Sequence, residues 1–181
     1  MKVSPSEIPE VLILEPAVFS DERGFFLETY NRRELRKATG VDVEFVQDNH
    51  SRSRRGVLRG LHYQIRQPQG KLVRVLAGEI WEVAVDLRRS SKFFGKSVAF
   101  SLSSMQKTMA WIPPGFAHGF LVTSESADVL YKTTDYYAPE HERTLLWNDP
   151  ALGIRWPLAG TPTLAKKDAA GVPLERADTY P

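Results

Sequence analysis

Residues 71–87 read KLVRVLAGEIWEVAVDL, and their polarity pattern decides the fold class. In the second half, Trp81, Val83, Val85 and Leu87 fall on one face. Ile80, Glu82, Ala84 and Asp86 fall on the other, which is the period of a strand. Both faces carry enough apolar residues to be at least partly enclosed. Residues 71–77 alternate in the same way, and Gly78 between the two halves predicts a hairpin turn. Working outward, strands are expected at 11–14, 25–30, 43–47, 57–63, 96–103, 108–112, 120–122 and 127–134. Many short strands separated by turn residues predict an all-β sandwich or barrel. Helix is scarce. Asn31 is placed to cap a short helix over 32–38 that Gly40 ends. The segment from 159 to 181 reads as a short helix around 164–170 or as a surface arm.

The rest of the composition narrows the function classes. The chain has 181 residues, with 24 Lys and Arg against 22 Asp and Glu, so the formal net charge is +2. A balance that near neutral does not make nucleic acid the expected partner. A chain this long buries roughly 70% of its unfolded surface, enough to fold as one domain over 1–181 without a metal or disulfide. There are no cysteines, so thiolate chemistry is excluded. The N-terminus shows only a four-residue apolar run at 11–14, shorter than a secretory signal, and no window approaches the roughly 20 apolar residues of a membrane span. The expectation is a cytoplasmic protein with no membrane partner.

Polar residues inside apolar runs mark the candidate site. In VLRGLHYQ (57–64), Leu58 and Leu61 mark a buried strand that also holds Arg59 and His62. A buried arginine needs an anion, and a lone strand histidine is more often structural than catalytic. Strict alternation puts Arg59 and His62 on opposite faces. Both reach one pocket only if the strand bulges, and Gly60 is the place for it. In WIPPGFAHGF (111–120), a Pro-Gly turn delivers His118 to a strand. Pro113, Gly115 and His118 match the P-x-G-x-x-H fragment of cupin barrels. The metal-binding form of that pattern is incomplete, because Val122 and Gln64 stand where ligands belong. A cupin-like barrel with no metal is expected. Residues 129–139 hold three tyrosines, which read as strand-surface aromatics or as a proton donor and a stacking ring. FSDERGFFLE (19–28) places Arg23 at a glycine turn before Phe26 and Glu28. Gln47 and Asn49 suit hydrogen bonding to a neutral ring or ribose, while Arg52, Arg54 and Arg55 read as solvated loop charges.

Taken in order, FSDERGFFLE, FVQDNHSRS with RGVLRGLHYQ, GKLVRVLAGEIWEVAVDLRRSS, WIPPGFAHGFLV and LYKTTDYYAPEHERTLLWNDPALGIRWP resemble the dTDP-4-dehydrorhamnose 3,5-epimerase family. The likeness runs from about residue 8 to about 168. It implies a metal-free cupin-type jelly roll with a few short helices, no cofactor, and a homodimer that exchanges strands. The implied substrate is a dTDP-4-keto-6-deoxy sugar, whose ketone acidifies the hydrogens on C3 and C5. By this resemblance His62 is the base and Asp168 its partner, Lys71 steadies the enolate, and Tyr131 is the opposite-face acid. Arg23 and Arg59 are implied for the diphosphate, with Lys167 as a further charge; Gln47 and Asn49 for the thymidine, Glu28 for a ribose or base donor; Tyr137 for stacking on thymine; Phe26 for substrate contact. His118 and Glu142 match ligand-contact positions. Arg23 and Glu28 are expected to serve the neighbouring subunit. Three other readings remain open: an enzyme that epimerises one centre or moves the ketone, a non-catalytic sugar-binding cupin, and a metal-dependent oxygenase.

Overall fold

The computed structural model describes residues 1–181. Thirteen strands run in chain order: β1 Lys2–Pro5, β2 Leu12–Glu15, β3 Val18–Asp21, β4 Gly24–Leu27, β5 Gln47–Arg54, β6 Leu58–Gln64, β7 Lys71–Ala77, β8 Glu79–Asp86, β9 Ser97–Ser103, β10 Met109–Ile112, β11 Phe116–Val122, β12 Ser126–Thr133 and β13 Glu142–Thr144. Two α-helices, α1 Arg32–Thr39 and α2 Lys166–Ala169, complete the frame with three single turns of 3-10 helix. A six-stranded sheet ordered β1-β2-β10-β7-β12-β5 faces a five-stranded sheet ordered β13-β6-β11-β8-β9. This is the all-β sandwich expected from the alternation, in the cupin jelly-roll form that the resemblance implies. No helix is long and apolar enough to cross a membrane.

The two faces of β8 explain how the layers stack. Ile80 and Ala84 enter the core between the sheets, beside Val73, Val75, Ile112, Phe120 and Val129. Val83, Val85 and Leu87 point the other way and are also covered, by Leu145, Leu152 and Ala177 from the later chain. The segment beyond 159 is therefore a cover on the second sheet. Tyr180 pairs with Arg88, and the Tyr180 hydroxyl donates to the Gln64 carbonyl at 2.5 Å.

Helix α1 forms as its sequence signals require. The Asn31 side chain accepts from the Arg33 and Glu34 amides, and Gly40 closes the helix at φ +74°. Its Leu35 is buried with Leu14, Leu72 and Trp111 on the outer face of the six-stranded sheet.

Two expectations are corrected. Residues 71–77 and 79–86 are not a hairpin: β7 pairs with β10 and β12, while β8 pairs with β9 and β11. Gly78, at φ +78°, turns the chain from one sheet to the other, and a Cβ there would lie 2.0 Å from the Ser126 carbonyl oxygen. The strand expected at 43–47 begins instead at Gln47 and runs to Arg54. Arg52 and Arg54 are exposed as expected but sit on a strand, paired with Asp128 and Ser126 of β12. This strand escaped the apolar pattern because its inward residues, Asn49 and Ser51, line a polar cavity and not the core.

Candidate active site

A cavity of about 470 Å³ opens between the sheets, and β5, β6, β7, β11 and β12 each send side chains into it. Strand β6 delivers two of them through an irregularity. Its pairing with β11 sets His62 opposite His118 but Arg59 opposite Phe120, so three steps on β6 match two on β11. The extra residue is a bulge at Gly60–Leu61. Gly60 lies at φ +125°, and a Cβ on it would stand 2.6 Å from the Gly119 Cα, so no larger residue fits. The bulge brings Arg59 and His62 into one cavity, as the sequence required.

His62 is partly exposed, and its Nε2 lies 2.5 Å from Asp168 Oδ1. Asp168 is buried, at 2% exposure, on α2, which packs against β6. The short contact makes this a charge-assisted pair. With Nε2 engaged, Nδ1 is the ring atom left for a ligand. Arg59 departs from expectation: it is exposed and has no carboxylate partner. Its Nε donates to Ser53 Oγ at 2.9 Å, and its Nη2 reaches the Arg52 carbonyl. Its positive charge is thus available to a bound anion.

The opposite wall comes from the six-stranded sheet. Lys71 opens β7 and is buried at 6% exposure. Burial pushes its ammonium down to about 8, against the attraction of Glu82 and Glu142, so it carries charge at neutral pH. Tyr131 on β12 is paired with Val73 and Asn49 of its neighbours. Burial raises its hydroxyl above the ordinary phenol range, with Arg59 and Lys167 opposing, so it stays protonated. Its ring meets His118 edge-on, with centroids 6.2 Å apart.

His118 is buried, with Nδ1 2.7 Å from Oε1 of the wholly buried Glu82. Burial, then the charges of Lys71 and His62, hold the His118 ring well below its ordinary range, so it is neutral. Burial pushes the Glu82 carboxyl up, opposed by Lys71. Sequence reasoning did not single out Glu82. Its signal was a carboxylate sharing the inward face of β8 with Ile80 and Ala84.

The outer end of the cavity is wired by polar contacts. Gln47 Nε2 donates to Asn49 Oδ1, and Gln47 Oε1 accepts the Tyr137 amide. The Tyr137 hydroxyl donates to Glu142 Oε2, while Lys167 Nζ donates to Glu142 Oε1 at 2.8 Å. Gln64, read in the sequence only as a failed metal ligand, accepts the Ala138 amide and donates to the Tyr136 and Gln67 carbonyls, which holds the Tyr137 segment. Arg23, Phe26 and Glu28 are not brought to this cavity. They lie on or beside the β3–β4 hairpin, where Arg23 pairs with Asp21 and Glu28 accepts from Asn31.

The arrangement can move protons: a carboxylate-held imidazole on one sheet and a half-buried phenol on the other line the same cavity, with an ammonium on the same wall as the phenol. Similar proteins share the frame. Residues 5–176 match the family model described as dTDP-4-dehydrorhamnose 3,5-epimerase. A protein so named from Pseudomonas aeruginosa is 59% identical over the whole of both chains. One from Salmonella typhimurium is 53% identical over 98% of this chain and 97% of its own. A crystal structure of a dTDP-6-deoxy-D-glucose-3,5-epimerase from Legionella pneumophila, in complex with dTDP-4-keto-L-rhamnose, superposes with a TM-score of 0.95. It is 50% identical and covers 98% of this chain and 94% of its own. With a match of that extent, this chain belongs to the dTDP-4-dehydrorhamnose 3,5-epimerase family.

Proposed function

We infer that this chain converts dTDP-4-dehydro-6-deoxy-D-glucose to dTDP-4-dehydro-L-rhamnose by epimerisation at C3 and C5, a step of dTDP-L-rhamnose synthesis. One observation carries the mechanism: His62 and Tyr131 enter the same cavity from opposite sheets, beside the buried Lys71. His62 Nδ1 takes the proton from the carbon next to the ketone, and Asp168 steadies the imidazolium that results. The electron pair left on carbon moves onto O4, where the Lys71 ammonium meets the growing charge. The Tyr131 hydroxyl returns a proton to the same carbon from the other face. The phenolate then regains its proton from water and His62 releases its own, so the net change is configuration alone. No cofactor takes part in these steps.

Arg59 and Lys167 bind the diphosphate; Gln47 and Asn49 bind the nucleoside; Tyr137 stacks on thymine; Glu142 holds Tyr137 and Lys167 in place. The chain acts as one cupin-like unit over 1–181, with the segment from about 159 as an arm over the second sheet, and works in the cytoplasm. It pairs as a homodimer in which Arg23, Phe26 and Glu28 enter the partner's cavity. The β3–β4 hairpin supports this reading: it joins neither large sheet, and Phe19, Phe25 and Phe26 are 64%, 59% and 70% exposed. Phenyl rings that open to water are uncommon unless another surface covers them.

His62→Ala is expected to abolish turnover while dTDP binding persists; turnover that survives overturns the mechanism. Proton exchange in deuterated water separates the double epimerase from a one-centre enzyme. Label at both C3 and C5 is expected, and label at one centre replaces this reading with the mono-epimerase one. Mixing His62→Ala with Arg23→Ala subunits is expected to restore activity that neither has alone, because one cavity of the mixed dimer is then intact.

A further inference from the structure

The mechanism above leaves one buried pair unused. Glu82 and His118 join β8 to β11 at 2.7 Å, Oε1 to Nδ1, and Glu82 is wholly enclosed. With the His118 ring neutral, the contact has two proton arrangements. In one, an ionised Glu82 accepts from Nδ1–H, and His118 shows the cavity a bare Nε2. In the other, the acid donates to Nδ1, and His118 shows the cavity Nε2–H. A neutral ring holds only one N–H, so the two arrangements are exclusive.

The second oxygen of Glu82 decides between them. Oε2 is buried and has no hydrogen-bond partner. An ionised carboxylate would leave an anionic oxygen unsolvated there, whereas the acid leaves only a weakly accepting carbonyl oxygen. The groups around it agree. Across from Glu82 stand Phe120 on β11 and Phe100 on β9, neither of which titrates. The titratable groups around Glu82 and His118 are Lys71 on β7, His62 on β6 and Tyr131 on β12, whose ring lies 6.2 Å from that of His118 and stays protonated. Lys71 forms no ion pair with Glu82, although its charge favours the carboxylate. Burial is the larger influence and raises the Glu82 carboxyl.

We propose that Glu82 is a positioning residue that remains the neutral acid, donates its hydroxyl proton to His118 Nδ1, and so fixes the tautomer that presents Nε2–H to the cavity. With the substrate read above, that N–H and the Lys71 ammonium form a two-donor site for the enolate oxygen. This destination rests on the proposed function; the tautomer itself does not. A carboxylate at Glu82 would leave His118 Nε2 bare, with its lone pair aimed at the same oxygen, and repel the charge that develops there.

The test is a nitrogen-15 NMR measurement of the histidine tautomers in the full-length, ligand-free protein at neutral pH, with His118 assigned by its loss in His118→Asn. A bare Nδ1 and a protonated Nε2 are expected; the opposite tautomer, or an imidazolium protonated on both nitrogens, overturns the proposal. In turnover, Glu82→Leu is expected to lower kcat about 10- to 100-fold with little change in KM, a fraction of the effect of losing an oxyanion donor. Glu82→Gln, whose amide also donates to Nδ1, is expected to recover most of that loss and keep the wild-type tautomer. A glutamine variant as slow as the leucine variant overturns the proposal, because a carboxylate is then required. If Glu82→Leu does not fold, the wild-type spectrum and the glutamine variant still decide. If the wild-type protein does not turn over the keto-sugar, the proposed function fails, and the spectrum alone decides the tautomer.

Discussion

Replacing Lys71 by Met is expected to make the protein more stable and nearly inactive at once. Burial holds the Lys71 ammonium at about 8 where an exposed lysine titrates near 10.5, a difference equivalent to about 3 kcal/mol against the folded state at neutral pH. The sign follows from proton counting. Between about pH 8 and pH 10.5 the unfolded chain binds a proton at this lysine that the folded chain does not, so wild-type stability rises with pH there. The penalty is complete below about pH 8 and gone above about pH 10.5. Lys71→Met removes it at every pH and is similar in length. It is therefore expected to melt higher at pH 7, by up to about 6–12 °C for a chain of this size. That gain should shrink as the buffer approaches pH 10.5. Catalysis moves the other way. An ammonium about 4 Å from an enolate oxygen, at an effective dielectric near 20, contributes about 4 kcal/mol. Its loss slows turnover about a thousandfold. Wild-type activity is likewise expected to fall above about pH 8 as the ammonium loses its proton. Thermal melts at pH 7 and at higher pH, with proton exchange from the keto-sugar, check both halves. A Lys71→Met protein that melts below wild type, or turns over within tenfold of it, refutes the reasoning.

Three further outcomes are expected. Asp168→Asn keeps the shape at His62 but removes the charge behind a 2.5 Å contact, so kcat should fall about 10- to 100-fold, as for losing a charged hydrogen bond; an unchanged rate in steady-state assays counts against the pair. Tyr131→Phe removes the opposite-face donor but leaves the base, so NMR in deuterated water should show substrate exchanging its proton while inverted product drops at least a hundredfold. Gly60→Ala forces a Cβ to 2.6 Å from the Gly119 Cα at φ +125°, so urea unfolding should show a loss of about 2 kcal/mol or more. A neutral result there removes the bulge argument.

The sequence disclosed much of this fold, and its failures have physical causes. Strands β7, β8, β9 and β12 were legible because their alternation reflects two covered faces or one. The Asn31 and Gly40 caps disclosed α1 for the local reasons that make caps readable. Strand β5 was displaced because a polar cavity wall has no apolar period. Gly78 looked like a hairpin because a turn signal says that the chain bends, not which sheet receives it. In the site, Gly60 betrayed the bulge through the odd spacing of Arg59 and His62. The His62–Asp168 contact was invisible to local reading, since 106 residues separate the partners, and only family resemblance joined them. Glu82 was hidden among strand residues because burial, not spacing, sets its chemistry.

That separation also gives synthesis an order. A chain stalled on the ribosome at residue 160 would already hold the sequence of every strand, yet His62 would have no carboxylate to lean on. The apolar outer face of β8 would still lack Ala177, and the Gln64 carbonyl would lack the Tyr180 hydroxyl. Truncated products are therefore expected to be slow as well as unstable. The same late segment that finishes the wall brings the carboxylate to the base, so an incomplete molecule lacks both its cover and its full rate.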